Sequence, residues 1–189
     1  MRHLLLLLFL LPLCLHAQVV DNCLAGQWQL DDGRSDNPEK VLKKLLRQQK
    51  MDERYQANPY QKAENKQPEP MPRELPEFVF NKQALTLTFS DAYVDISQAG
   101  KQRHLRLDGK PAPISLAQLA QSPYTEIAGW EAGQLVVETT MANGWHIIER
   151  VVVADGLLKI HYRIGNGIGE PHELDKYYRP SAPLTCSPL

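Results

Sequence analysis

The amino-acid sequence predicts a mainly β domain, an antiparallel meander that closes or nearly closes, preceded by one amphipathic helix. From residue 78 onward the pattern is that of β structure almost without a break, and from residue 84 short runs of alternating apolar and polar residues are separated by turn sequences such as Asp155-Gly156. Residues 38–54 instead place their apolar side chains at helical spacing. Short strands about 8–12 residues apart with tight turns are typical of β-sandwiches and barrels.

Residues 1–17 have the pattern of a secretory signal peptide. Arg2 and His3 precede an apolar run over residues 4–13, and Ala17 offers a small residue for signal peptidase. We therefore expect cleavage after Ala17 and export of a single domain, residues 18–189. Cys14 allows a lipid anchor as the alternative, which is less favoured because Leu13 is large where a lipoprotein signal has a small residue.

The overall charge is close to neutral. The chain has 21 Lys and Arg residues against 22 Asp and Glu residues. Loss of Arg2 with the signal peptide leaves 20 minus 22, a net charge of −2. This balance argues against a nucleic-acid partner, because such proteins carry a strongly basic face.

Two cysteines follow the predicted cleavage site, Cys23 and Cys186, one near each end of the domain. They allow one intramolecular pairing, and in an exported protein a structural disulfide is the favoured interpretation. A metal pair or a redox couple is the alternative, but no CxxC spacing and no adjacent histidine support it.

A helix is predicted over residues 38–54, with Pro38 at an early helical position. Lysine and arginine side chains cover most of its surface, which allows two interpretations: the helix packs on its own domain, or it contacts an anionic membrane through residues 40–50. Four apolar residues fall on one face of this helix: Val41, Leu42, Leu45 and Leu46.

Residues 55–77 contain five prolines among polar residues, a composition that predicts a mobile insertion. A strand is expected before the helix, over residues 24–30. The remaining strands are predicted over 84–89, 92–97, 102–107, 124–130, 135–141, 145–153, 157–164 and 173–179, and residues 114–121 are ambiguous.

The last two hairpins allow the register to be predicted. With Asp155-Gly156 as a two-residue turn, Val151 faces Ile160 and Glu149 faces Tyr162. The surface carrying these pairs is apolar apart from Glu149, and the opposite surface is mostly charged. For the preceding hairpin we expect a three-residue loop with a left-handed Gly144, because a two-residue loop would set Glu138 against Glu149.

Glu149 is thus predicted to point inward, where burial raises the pKa of its carboxyl group and Tyr162 is the neighbouring hydroxyl. One interpretation is a polar anchor at the bottom of a ligand cavity; the other is a structural hydrogen bond or a carboxylate at the barrel mouth. The candidate ligand-binding residues form one inward row: Val137, Ile147, Glu149, Val151, Ile160 and Tyr162.

The sequence contains no established catalytic or cofactor motif, and no serine or cysteine lies beside an evident base. His146 and His161 fall on the outer surface, out of step with each other, so no metal site is predicted. We expect neither an enzyme nor a cofactor.

Gly26-Gln27-Trp28 in the first strand, the run of hairpins and the late Arg179 together resemble the lipocalin pattern. The resemblance implies that Trp28 closes the barrel floor and that Arg179 packs across its ring as a cation–π partner. Most of the mature chain is also similar to small exported bacterial proteins of unknown function, on a WEAGQLVVETT-like hairpin and Tyr177-Tyr178-Arg179. That similarity implies a lipocalin-like fold in the bacterial periplasm or envelope.

These observations leave two function hypotheses. The first is binding or carriage of an apolar small molecule or lipid inside the barrel. The second is a non-enzymatic envelope structural or interaction protein with a solid barrel, which contacts partners through the basic helix and the proline-rich insertion. A cavity of at least ~300 Å³ beside Glu149 would favour the first. Hydrolase or isomerase activity of Glu149 and Tyr162 is a third and less favoured reading.

Overall fold

The computed structural model describes residues 23–56, 76–110, 124–142, 144–166, 170–184 and 186. The predicted signal peptide, Cys14, most of the proline-rich insertion and the ambiguous residues 114–121 lie outside this part of the chain. No helix in the described part is long and apolar enough to cross a membrane.

The described residues form nine strands and two helices. The helices are α1 (Pro38–Gln56) and the one-turn α2 (Glu77–Phe80). The strands are β1 (Gly26–Leu30), β2 (Leu85–Phe89), β3 (Tyr93–Gln98), β4 (Lys101–Arg106), β5 (Tyr124–Glu131), β6 (Gln134–Met141), β7 (His146–Ala154), β8 (Leu157–Gly165) and β9 (His172–Pro180).

All neighbouring strands are antiparallel, in the order β4-β3-β2-β1-β9-β8-β7-β6-β5. Consecutive strands pair with each other from β2 to β4 and from β5 to β9. β4 and β5 are the two edges of the sheet, and β1 pairs with both β2 and β9. The two sheet edges meet beyond β4, where the Gly109 amide donates to the Ala128 carbonyl at 2.8 Å. The result is a nearly closed barrel, as the alternating pattern predicts.

The predicted register of the C-terminal hairpins is confirmed. Val151 pairs with Ile160 and Glu149 with Tyr162 across β7 and β8. Val137 pairs with Glu149 across β6 and β7, as the three-residue loop requires. Gly144 has a φ of 79° in that loop, a left-handed conformation that costs glycine little.

The helix prediction is confirmed, with α1 extending to Gln56. The Asn37 side chain accepts a hydrogen bond from the Glu39 amide and caps the helix, which starts at Pro38. Leu45 is buried and Val41 is half-buried against the core. Leu46, expected on the same face, is 39% exposed, because it lies at the border between the packed face and the lysine-rich face.

Two sequence-based expectations are wrong. Residues 77–80 form α2 where the pattern from residue 78 onward indicates β structure. Arg179 does not pack on Trp28, because Trp28 pairs with Pro180 and the neighbouring Arg179 side chain points out, 67% exposed. Its guanidinium instead donates to the buried Asp31 carboxylate at 2.8–2.9 Å.

The Cys23–Cys186 disulfide is formed, with the two Cα atoms 4.4 Å apart. These residues flank β1 and β9, which are neighbours in the sheet. The disulfide therefore ties together the two ends of the barrel chain. Structural disulfides are typical of oxidising, extracytoplasmic compartments.

Candidate ligand cavity

A cavity of about 780 Å³ lies inside one end of the barrel. Its walls come from strands on opposite sides of the barrel, and α2 covers part of its mouth. The apolar lining includes Phe78, Leu85, Leu87, Ile96, Met141, Val151 and Ile160, and the polar lining includes Gln98, Arg103, Tyr124, Glu149 and Tyr162.

The six candidate residues predicted from the sequence are all buried. Four of them line this cavity: Glu149, Val151, Ile160 and Tyr162. Val137 and Ile147 do not line it; both are fully buried in the hydrophobic core. Alternation in β7 thus identifies the inner surface, and the height along the barrel decides which inner residues reach the cavity.

Arg103 on β4 is the cationic partner that satisfies Glu149. Its Nη2 lies 2.6 Å from Glu149 Oε1, and its Nη1 donates to Glu149 Oε2 at 3.2 Å. Its Nε donates to Glu126 Oε1 at 2.8 Å, and Nη2 lies 2.6 Å from the same oxygen. One guanidinium thus joins two carboxylates from β5 and β7.

Sequence reasoning expected the Tyr162 hydroxyl beside Glu149 and did not find Arg103 or Glu126. A signal for Arg103 was available. The turn at Ala99-Gly100 pairs Arg103 with the buried Ile96, which places the arginine on the inner surface. That carboxylates of two other strands lie within its reach follows only from the closure of the barrel.

This cluster is electrostatically perturbed by burial. Desolvation raises the pKa of Glu149, the Arg103 guanidinium opposes that effect, and nearby Glu126 adds to it. The two carboxylates keep the pKa of Arg103 above its ordinary value despite burial. Burial raises the pKa of Tyr162 as well, so its phenol stays uncharged at neutral pH.

Three cationic side chains hold α2 over the cavity mouth. The Arg103 guanidinium lies 4.1 Å from the centre of the Phe78 ring, a cation–π contact. Lys176 Nζ donates to the carbonyls of Phe78 at 3.1 Å and Asn81 at 2.9 Å. At the outer rim, Lys101 forms a salt bridge with Glu77.

Lys176 is buried on β9, where it pairs with the lining residue Ile160, and its Nζ lies 5.4 Å from the centre of the Tyr162 ring. Desolvation lowers its pKa from 10.5 to about 8, and the attraction of Glu149 partly offsets this effect. At neutral pH Lys176 therefore still carries its proton near Glu149.

The described histidines lie apart from the cavity lining. His161 bonds Asp175 at 2.7 Å, and His146 bonds Thr140 at 3.1 Å. Within the described ranges, no group of three or more His, Cys, Asp and Glu side chains could hold a metal ion. The chemistry that the cavity offers is enclosure of an apolar group next to a few polar ones.

No protein-family model matches the sequence, and a comparison with curated proteins finds no match. Solved structures do resemble the fold. A secretory abundant heat soluble protein of Ramazzottius varieornatus matches with a TM-score of 0.51 at 13% identity, over 84% of this chain and 96% of its own.

Lipid binding protein 8 of Caenorhabditis elegans, in its apo form, matches with a TM-score of 0.51 at 13% identity, over 87% of this chain and 100% of its own. The wild-type fluorescent protein UnaG matches with a TM-score of 0.50 at 14% identity, over 83% and 96%. At these identities the likeness concerns the fold, which is that of lipocalin-like and fatty-acid-binding-protein-like barrels.

Proposed function

We propose that this protein is an exported bacterial envelope protein that binds or carries an apolar small molecule in its barrel. The observation that carries the proposal is the cavity of about 780 Å³ beside Glu149. Ligand pockets are commonly about 300–1,000 Å³, mostly apolar, with a few convergent polar groups. The alternative, a purely structural protein, assumes a solid barrel. Such a barrel would contain no cavity of this size.

Two further observations support the proposal. Lipid binding protein 8 has a similar fold, although at 13% identity this similarity concerns the fold alone. Export is supported by the signal-like residues 1–17 and by the Cys23–Cys186 disulfide.

The test is a titration of the purified protein with the neutral, environment-sensitive dye Nile red. We expect saturable binding that Val151→Trp weakens at least tenfold, because a larger side chain occupies the cavity. Val152→Trp on the same strand is the matched control, since Val152 lies on the outer surface and does not line the cavity. The milder Val151→Phe serves if the tryptophan variant fails to fold.

Equal binding by the Val151 and Val152 variants would contradict an interior site. Mass spectrometry of protein purified from its native envelope is the complementary measurement, because it detects a copurified molecule directly. It also reports acylation at Cys14 and the oxidation state of Cys23 and Cys186.

A second candidate function is contact of α1 with an anionic membrane, and a specific observation favours it. Leu46 is an exposed apolar side chain on this helix, 39% exposed, and Lys43 and Arg47 beside it are exposed as well. Apolar and basic side chains together are the pattern of an interfacial helix. Sedimentation with phosphatidylglycerol vesicles tests it: Leu46→Gln and Lys43→Gln should both weaken binding, whereas phosphatidylcholine vesicles should not bind.

A further inference from the structure

The charges around the polar end of the cavity balance one another. Two carboxylates, Glu126 and Glu149, face two cations, Arg103 and Lys176. The Arg103 side chain is 11% exposed, and those of Glu149 and Glu126 are 3% and 13% exposed. The four groups therefore form one largely dehydrated cluster with equal numbers of acidic and basic side chains.

The cations of this cluster are already engaged. All three nitrogens of the Arg103 guanidinium contact carboxylate oxygens, and the Phe78 ring covers one of its faces. Lys176 Nζ donates to two carbonyls of the α2 segment. Lys101, the other cation among the described lining residues, forms its salt bridge with Glu77 at the rim.

From these contacts we infer that the ligand is uncharged, an apolar molecule whose polar end is a neutral group such as a hydroxyl or an ester. The inference rests on the proposed binding function and specifies its ligand class. A carboxylate entering the cavity would have to displace Glu149 or Glu126 from Arg103, or stay buried without a cationic partner. A buried ammonium group would likewise meet carboxylates that are already bound to Arg103.

A neutral polar group meets no such obstacle. The Tyr162 hydroxyl and the Gln98 amide line the cavity and are uncharged hydrogen-bonding groups. A hydroxyl or ester can bond to groups of this kind without disturbing the ion pairs. The apolar remainder of the molecule then lies against Leu87, Val151 and Ile160.

The test compares four probes of one chain length on the full protein at about pH 7: hexadecanol, methyl palmitate, palmitate and hexadecylamine, each displacing Nile red. We expect hexadecanol and methyl palmitate to bind at least tenfold more tightly than palmitate and hexadecylamine. Palmitate or hexadecylamine binding as tightly as the neutral probes would overturn the inference and leave the carrier function standing. Failure of Nile red and all four probes to bind would overturn both.

A charge variant provides a second test. Glu149→Gln removes one carboxylate from Arg103 and leaves the cluster with an excess positive charge. We expect it to tighten palmitate binding at least tenfold relative to hexadecanol binding. Glu131→Gln is the matched control, because Glu131 pairs with Arg150 at the surface, away from the cavity lining. Unchanged palmitate binding in a folded Glu149→Gln variant would overturn the inference; if that variant does not fold, the four-probe comparison decides.

Discussion

Arg103 and Glu149 are 46 positions apart in the chain, yet the guanidinium of one contacts both carboxylate oxygens of the other inside the barrel. The two residues lie on β4 and β7, which are not neighbours in the sheet. Their contact, together with that of Arg103 to Glu126 on β5, connects the two sheet edges that close the barrel. The charged residues at the polar end of the cavity therefore also help to close the barrel.

Removal of Arg103 should be strongly destabilising. We expect Arg103→Met to lower the free energy of unfolding by about 3–5 kcal/mol, because it leaves two buried carboxylates without a cation. Urea denaturation followed by tryptophan fluorescence measures the change. The matched control is Arg150→Met, whose exposed pair with Glu131 should contribute at most about 1 kcal/mol.

A double variant tests whether the stability lost on removing Arg103 comes from the carboxylate that is left unpaired. If the cost of Arg103→Met comes from orphaned charge, then Arg103→Met combined with Glu149→Gln should be more stable than Arg103→Met alone. Equal or lower stability of the double variant would mean that the arginine acts through packing on Phe78 instead.

Local alternation was sufficient to predict which residues of β7 and β8 face inward. Side chains in a strand alternate strictly, so one turn residue pair, Asp155-Gly156, sets the partners of every residue behind it. Glu149 and Tyr162 were placed correctly for this reason. The same rule cannot predict Arg103 as the partner of Glu149, because β4 and β7 meet only across the closed barrel.

Two other features of the fold, α2 and the position of Arg179, depend on contacts between residues far apart in the chain, which short sequence patterns do not show. Phe78-Val79-Phe80 is an apolar run that suits a buried strand, but after Pro76 it forms one helical turn held by Lys176 and Lys101. The expected packing of Arg179 on Trp28 depended on a register in which the two residues share a face. Pro180 occupies that position, so Arg179 points away from Trp28 and pairs with the buried Asp31 instead.

Loss of the disulfide should destabilise the domain without changing its fold. The bond spans a sequence separation of 163 residues, for which chain entropy predicts an upper bound of about 5 kcal/mol. We expect Cys23→Ser with Cys186→Ser to lower the urea midpoint while the far-UV circular dichroism spectrum stays the same. An unchanged midpoint would mean that the pairing of β1 with β9 alone holds the chain ends.

The loop between β6 and β7 predicts a position-specific cost. Gly144 has a φ of 79°, where a Cβ atom is strained, so Gly144→Ala should lower the free energy of unfolding by about 1–2 kcal/mol. Gly33→Ala is the control, because a Cβ there meets the nearest atom, Asp31 Oδ1, at an ordinary 3.5 Å. Thermal or urea unfolding of both variants checks the difference, and equal losses would contradict the three-residue loop.

Lys176 predicts a dependence of stability on pH. Its pKa in the folded protein is about 8, below the value of 10.5 of the ordinary side chain. Between these values the unfolded chain binds more protons at this site, so the free energy of unfolding rises with pH through that window.

Lys176→Met removes the effect, and its own loss of the Phe78 and Asn81 hydrogen bonds is independent of pH. We therefore expect the stability of the wild type relative to Lys176→Met to be constant below about pH 7 and to increase from about pH 8 to 10. Urea denaturation of both proteins at each pH measures this difference, in which the titration of the buried tyrosines cancels. A difference that is flat over the whole range would mean that Lys176 is not held in a dehydrated site.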